Sequence, residues 1–252
     1  MSKQIESEKL LVKDVFQRFY RIPEYQRPYV WGSDQVTELL DDVYASSQSN
    51  RPENQSQYFI GSLVLHKKEK LENGIKFIEY DLLDGQQRLT TLLLLTAVVR
   101  DLTPSNNVEK DISRKQTCNT SIYRMAVPDD NIPERLRIVF DIRKEVSEFV
   151  EAYIKADGGT NKTEDLIKLA GENGNKNNNE NEIDISIRNM AKAILTIRDY
   201  FSSNDRLDAV FPYLRSNVVM IYVAADELDD AFRLFTIMNN RGVKLRSSDI
   251  LK

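Results

Sequence analysis

One stretch of the sequence changes from a strand pattern to a helix pattern within two residues, Asp84 and Gly85. Residues 77–83 carry the aromatic and β-branched residues of a buried strand, and residues 89–99 are Leu-rich and long enough for a helix. Because Asp can cap a helix and Gly tolerates positive φ, the dipeptide predicts a tight turn. The chain must therefore fold with a strand feeding directly into a helix, whose first turn carries Gln86, Gln87 and Arg88.

The start of this helix is suited to binding an anion. Free backbone N–H groups, two amides and one guanidinium meet there, and Arg88 is available for a forked contact with phosphate. The alternative is a capped helix whose Arg88 forms a structural ion pair. The residues alone leave both interpretations open.

A second polar segment, residues 20–31, concentrates Arg21, Glu24, Gln26 and Arg27 among four aromatic residues. Its two prolines favour extended backbone, and arginine beside aromatic rings suits a planar or phosphorylated ligand. The alternative is that the rings belong to the core while the charges face water.

Composition limits the classes of function. The formal net charge of −4 over 252 residues argues against a surface that is basic throughout, so nucleic acid would need a local patch. Cys118 is the only cysteine, which excludes an internal disulfide and fits a cytoplasmic location. Residues 1–9 lack a signal-peptide core and residues 89–99 are too short to span a bilayer, so we expect no membrane segment.

The single histidine, His66, excludes further sites within this chain. Nuclease centres of the His-Asn-His type and histidine-based metal sites need at least two histidines. His66 itself lies at the predicted end of a strand, before Lys67 and Lys68, where an exposed turn is expected. We therefore predict no catalytic role for it.

The remaining elements follow from apolar periodicity and turn residues. Helices are expected at residues 9–19, 33–44, 162–169, 183–201 and 227–238, with a break at 239–242 and a new helix from 247. Residues 58–66 and 75–83 predict a hairpin, and 218–224 predict a buried strand. Residues 101–116 predict a loop or short helix, residues 136–140 a strand or a first helical turn, and residues 146–153 a helix. The Asn-rich stretch within 171–182 is too polar to pack.

Three stretches together resemble the signature of one family: residues 22–31, residues 84–88 and residues 235–252. They look like the N-terminal domain of GmrSD-type, modification-dependent restriction proteins. The turn at 84–88 is also similar to that of the ParB and sulfiredoxin superfamily. The resemblance implies an α+β fold, with a small mixed-sheet core in residues 1–100, a mostly helical insertion in 101–216, and a return to the core in 217–252.

The resemblance also implies a function. Such a domain would bind a nucleoside triphosphate with Mg²⁺ or bind and hydrolyse it. It would also sense modified DNA and control a His-Asn-His nuclease domain. In relatives that nuclease usually lies C-terminal, and a helix starting just before Lys252 leads us to expect a fragment of a longer protein. Two alternatives stay open: a DNA-binding or protein-interaction module without hydrolysis, and a nuclease built around Asp84, for which we expect no cleavage by this fragment.

The family's motif residues map onto ten positions of this sequence. Arg27 and Arg88 are expected to hold phosphate oxygens, and Asp84 to bind a divalent cation or act as a base. The predicted catalytic residues are Asp84, Gln86 and Gln87, the last two orienting a phosphate or a water. The predicted nucleotide- or phosphate-binding residues are Gln26, Arg27, Gly85, Arg88, Asn239, Asn240 and Asp249. No set of protein metal ligands is predicted.

Overall fold

A computed structural model of the protein describes residues 5–48, 57–72, 74–125, 132, 134–141, 144–171, 183–202 and 204–240. The strands are β1 (Ile5–Leu11), β2 (Tyr20–Ile22), β3 (Tyr58–Glu72), β4 (Ile75–Asp84), β5 (Tyr123–Arg124), β6 (Arg135–Leu136), β7 (Ile138–Phe140) and β8 (Val218–Ala225). The helices are α1 (Val12–Val15), α2 (Ser33–Gln48), α3 (Gln86–Leu102), α4 (Glu109–Ile122), α5 (Lys144–Phe149), α6 (Thr163–Ala170), α7 (Ile185–Tyr200), α8 (Asn204–Asn217) and α9 (Leu228–Asn240). A π-helical segment, Val150–Lys155, continues α5, and a short 3₁₀ turn, Gly159–Asn161, precedes α6.

The described strands form a six-stranded mixed sheet in the order β1-β8-β3-β4-β2-β7, and β5 and β6 form a separate pair. Within the six strands, β1 with β8 and β3 with β4 are antiparallel, whereas β8 with β3, β4 with β2 and β2 with β7 are parallel. The predicted α+β class is confirmed. Strand β7 lies within the region predicted to be a helical insertion and belongs to the sheet; the domain boundaries and the likeness to ParB stay predictions.

Helix α3 is the central helix. Every residue from Leu89 to Arg100 is buried, as in a helix that is apolar on all sides and enclosed by its neighbours. It shares one core with the inner residues of α2, α7 and the sheet. The position of its first turn is therefore fixed by the whole fold.

An ion pair between a partly exposed arginine and a buried carboxylate holds β2 against β4. Arg21 donates two hydrogen bonds to Asp81, at 2.7 and 2.8 Å, and Lys68 of β3 also pairs with this carboxylate. Burial alone would raise the pKa of Asp81, but hydrogen bonds from the two cations outweigh it and lower that pKa. Asp81 therefore stays ionised at neutral pH, and the pair anchors the strand that leads into the polar segment after Ile22.

Most predicted elements are confirmed, including the hairpin, α2, α3, α7 and β8. The helix predicted at 9–19 is confirmed only at Val12–Val15. Lys9 to Leu11 belong to the strand that pairs with β8, and residues 16–19 are not helical. The expected loop or short helix at 101–116 contains the start of the 14-residue α4. A charged turn was expected after His66, but strand β3 continues as far as Glu72. In the described part of the chain, no helix is both long and apolar enough to cross a membrane.

Candidate functional site

The turn between β4 and α3 is built on Gly85. Gly85 is the N-cap of α3 with a φ of 93°, and no side chain caps this helix. The predicted tight turn is thus confirmed, but Asp84, a residue type that can cap a helix, does not cap α3. A Cβ at Gly85 would lie 2.6 Å from Leu63 Cδ2 and 2.7 Å from the Ser62 carbonyl oxygen, so the turn packs directly against β3. The uncapped first turn leaves backbone N–H groups without a side-chain acceptor.

Gln86 is buried without a partner. Its side chain is 4% exposed, and neither its amide nitrogen nor its amide oxygen has a hydrogen-bond partner among the described residues. The hydroxyl of Thr90, one helical turn further on, is also buried without a partner there. A buried polar group left unpaired typically costs about 1 to 3 kcal/mol. Two such groups beside an uncapped helix start indicate a place where a ligand or water completes the structure.

Gln87, in contrast, is fully engaged in holding the polar segment. Its Oε1 accepts hydrogen bonds from the backbone N–H groups of Val30, at 2.8 Å, and Trp31, at 3.2 Å. Its Nε2 donates to the Pro28 carbonyl oxygen at 3.1 Å. Gln87 thus clamps residues 28–31 against the start of α3.

We expect Gln87→Ala to lower the free energy of unfolding by about 1 to 3 kcal/mol, because three backbone groups lose their partner. Urea denaturation measures this. The control is Gln48→Ala on the exposed end of α2, where a change within about 0.5 kcal/mol is expected. Equal, small losses in both variants would show that other contacts hold residues 28–31.

Two arginines without acidic partners flank this turn. Arg88 is partly buried and Arg27 is exposed, and neither forms a hydrogen bond or ion pair with the residues the structure describes. Arg88 lies against Gly61, where a Cβ would be 2.9 Å from its Cζ atom. The pairing of β3 with β8 shifts register here, between Phe59 and Ser62. The irregularity and the missing side chain let the guanidinium lie on the strand backbone.

These groups surround a small depression of about 120 Å³, which we call the polar recess. It is lined by Gln26, Arg27, Trp31, Asp84, Gly85, Gln86, Gln87 and Arg88. Gln26 closes one side, since its Nε2 donates to the carbonyl oxygen of Leu83 at 3.0 Å. The recess thus joins the end of β4, the first turn of α3 and the polar segment.

A wider depression of about 410 Å³, which we call the aromatic recess, adjoins it. The two share Gln26, Arg27 and Asp84, and the aromatic recess is otherwise lined by Tyr25, Leu83, Phe232 and Phe235. Partial burial raises the pKa of the Tyr25 phenol, and the Asp81 carboxylate raises that pKa further. Tyr25 is therefore neutral at physiological pH.

Comparison with known families decides the identity. Residues 8–252 match the family described as the N-terminal domain of the GmrSD restriction endonuclease. The chain belongs to this family. No curated protein matches the chain. The predicted family is thus confirmed, and membership gives the domain a role in a restriction protein.

In this GmrSD N-terminal domain, seven of the ten predicted site residues line the polar recess: Gln26, Arg27, Asp84, Gly85, Gln86, Gln87 and Arg88. Asn239 and Asn240 lie in the last turn of α9, which therefore extends two residues into the predicted break at 239–242, but their side chains are outside the described part. Asp249 is also outside it. Phe232 and Phe235, which line the adjoining aromatic recess, were not among the predicted site residues. Their spacing of three on a helix was the available signal.

The described residues contain no group of three His, Cys, Asp or Glu side chains that could hold a metal ion. Asp84 supplies a single carboxylate to the polar recess. Mg²⁺ is commonly held by one or two carboxylates together with substrate phosphates rather than by a complete protein cage. The recess of this GmrSD N-terminal domain therefore fits Mg²⁺ only in the company of a phosphate ligand.

Proposed function

We propose that this domain binds a nucleoside triphosphate, with its phosphates in the polar recess, and that nucleotide binding regulates DNA restriction by the protein that contains it. The observation that carries the proposal is the convergence of an uncapped helix start with two arginines that have no partner among the described residues. Such a helix terminus favours anions through its N–H groups and its dipole. Arginine adds forked, charge-assisted hydrogen bonds.

Each lining residue has a defined part in this proposal. Arg88 and Arg27 bind phosphate oxygens from two sides, and the N–H groups of the first turn of α3 bind a third. The buried Gln86 amide donates to the ligand or to a water beside it. Gln87 acts indirectly, because its hydrogen bonds are already used to position the polar segment.

Among the residues that the structure describes, Asp84 is the one carboxylate lining the polar recess. Beside phosphates its negative charge would be repulsive, which a divalent cation would relieve. Asp84 would hold Mg²⁺ together with phosphate oxygens, and the ion would supply charge neutralisation there. For hydrolysis we propose that Asp84 and Gln86 position the attacking water.

The regulatory part of the proposal follows from family membership. The family is described as the N-terminal domain of a restriction endonuclease, and modified DNA and a nuclease domain are the partners we propose for the whole protein. This chain has one histidine, so a His-Asn-His centre would have to come from elsewhere. We propose that this domain senses modified DNA or controls the nuclease, and that another domain cleaves the DNA.

We expect Arg88→Ala to weaken nucleoside triphosphate binding by about 10- to 100-fold, which corresponds to the loss of a charged hydrogen bond. Thermal shift with each triphosphate plus Mg²⁺ reports binding, because a ligand bound by the native state raises its stability. Phosphate release in the same samples tests hydrolysis. Arg88→Lys keeps the charge without the fork and should lie between wild type and Arg88→Ala.

The matched control is Lys144→Ala, which removes one positive charge from an 86% exposed side chain on α5. It should leave nucleotide binding unchanged. Nucleotide affinity that is the same in Arg88→Ala and in the wild type, with both proteins folded, would refute the polar recess as the phosphate site. Binding to DNA that falls steeply with salt and ignores nucleotide would instead support the DNA-binding module.

A further inference from the structure

The aromatic recess has features that the phosphate site does not use. Tyr25 is 54% exposed and Phe232 is 41% exposed, although both are large aromatic side chains. Their ring centroids are 6.1 Å apart with an interplanar angle of 49°. Phe235 lies one turn along the same face of α9, and Leu83 lies at the end of β4. Exposed rings gathered beside a charged recess are typical of a binding surface.

The two recesses differ in size and in chemistry. The polar recess, at about 120 Å³, is well below the 300–1,000 Å³ typical of small-molecule sites. The aromatic recess, at about 410 Å³, lies within that range. Since they share Gln26, Arg27 and Asp84, they form one continuous surface with a polar end and an end lined by aromatic and aliphatic side chains.

We propose that the aromatic recess binds the base of the nucleotide whose phosphates occupy the polar recess; this rests on the proposed function. Tyr25 and Phe232 contact each other at a tilt of 49°, so a planar base stacks on the face of one ring and lies against the edge of the other, with Leu83 and Phe235 beside it. Stacking of this kind accepts any base, because every base has a π-face. The subsite thus adds affinity with little choice between bases.

A bound base would also fasten α9 to the rest of the domain. Helix α9 packs on the sheet through a small cluster that is separate from the main core: Val64, Leu83, Ala225 and Ala231, with Leu234, Phe235 and Met238 against them. The base would add contacts between α9 and the polar segment, which is held by Gln87 on α3. Nucleotide binding would therefore stabilise the packing of α9 on the sheet.

The test compares ATP with inorganic tripolyphosphate, both with Mg²⁺, by isothermal titration calorimetry. The wild type should bind ATP more tightly than tripolyphosphate. Phe232→Ala should weaken ATP binding about 5- to 100-fold and leave tripolyphosphate binding unchanged. Ile237→Ala is the control, since Ile237 is a 51% exposed residue of α9 that does not line the recess. Circular dichroism checks that both variants fold.

The outcomes separate the two proposals. Equal affinity for ATP and tripolyphosphate, with ATP binding unchanged by Phe232→Ala, would overturn the base subsite and leave the phosphate site standing. Equal weakening of both ligands by Phe232→Ala would also overturn it, because the rings would then act only on the shape of the polar recess. Tripolyphosphate binding that is insensitive to Arg88→Ala would instead remove the proposed function itself.

Discussion

We expect Gly85→Ala to lower the free energy of unfolding by about 2 to 4 kcal/mol. Part of this loss arises because Gly85 has a left-handed backbone conformation, with φ 93°. A residue with a Cβ adopts that conformation at a cost of about 1 to 2 kcal/mol. The rest is overpacking, typically about 1 to 3 kcal/mol, since the new Cβ would meet Leu63 Cδ2 at 2.6 Å and the Ser62 carbonyl oxygen at 2.7 Å. The carbonyl belongs to β3 and cannot move without moving the strand.

Gly74 provides a control that separates the two causes. It has a similar φ of 81°, but a Cβ there would meet nothing within 4 Å. Gly74→Ala should therefore show only the backbone cost, about 1 to 2 kcal/mol. Both variants are compared with the wild type by urea denaturation. Equal losses at the two positions would show that packing against β3 is not what requires glycine in the motif.

The Arg100→Met substitution should cost more, about 3 to 5 kcal/mol, because it removes one partner of a buried ion pair. Arg100 is 1% exposed and donates to the carbonyl oxygens of Ile154, Lys155 and Ala156 at 2.8, 3.1 and 2.7 Å. It also pairs with Asp101 at 2.7 Å. Without the guanidinium, three carbonyl groups at the end of the π-helical segment lose their donor. The Asp101 carboxylate loses its cation and keeps the hydrogen bonds that it accepts from Gly158 and Thr160.

The control for Arg100→Met is Arg233→Ala, at a 79% exposed side chain that lies 3.6 Å from Asp230. It should change stability by no more than about 0.5 kcal/mol. Arg100 is about 18 Å along α3 from Arg88 at 1.5 Å per residue. Nucleotide affinity of the folded Arg100→Met protein should therefore match the wild type. A stability loss below about 1 kcal/mol would contradict the role given to this buried pair.

The sequence predicted the fold best where local pattern decides structure. The turn at Gly85 and the Leu-rich α3 are encoded within a short run, and so are the hairpin of β3 and β4. The helix wrongly predicted at 9–19 shows the limit of such patterns. Lys9 to Leu11 form a strand because they pair with residues near 220. The apolar periodicity of a short stretch of sequence cannot predict a pairing with so distant a segment.

The same limit applies to the site. The motif residues identified the polar recess, but not the different uses of two adjacent glutamines. Gln87 is committed to backbone groups nearly 60 positions earlier, at residues 28–31, whereas Gln86 has no partner in the described part of the chain. Which amide is engaged depends on the distant segment that packs beside the turn. Phe232 was likewise visible only as one apolar residue of an amphipathic helix until Tyr25 was found against it.

The strand order also has a consequence for synthesis. Among the described strands, β1 pairs only with β8, and β8 lies between β1 and β3. Translation starts at the N-terminus, so β1 and one edge of the 15-residue β3 wait for residues 218–225 to leave the ribosome. Unpaired edges of this kind can capture strands from other chains. The nascent domain thus carries β3 paired along one edge only until residues 218–225 have been synthesised, and the pairing of β8 closes that interval.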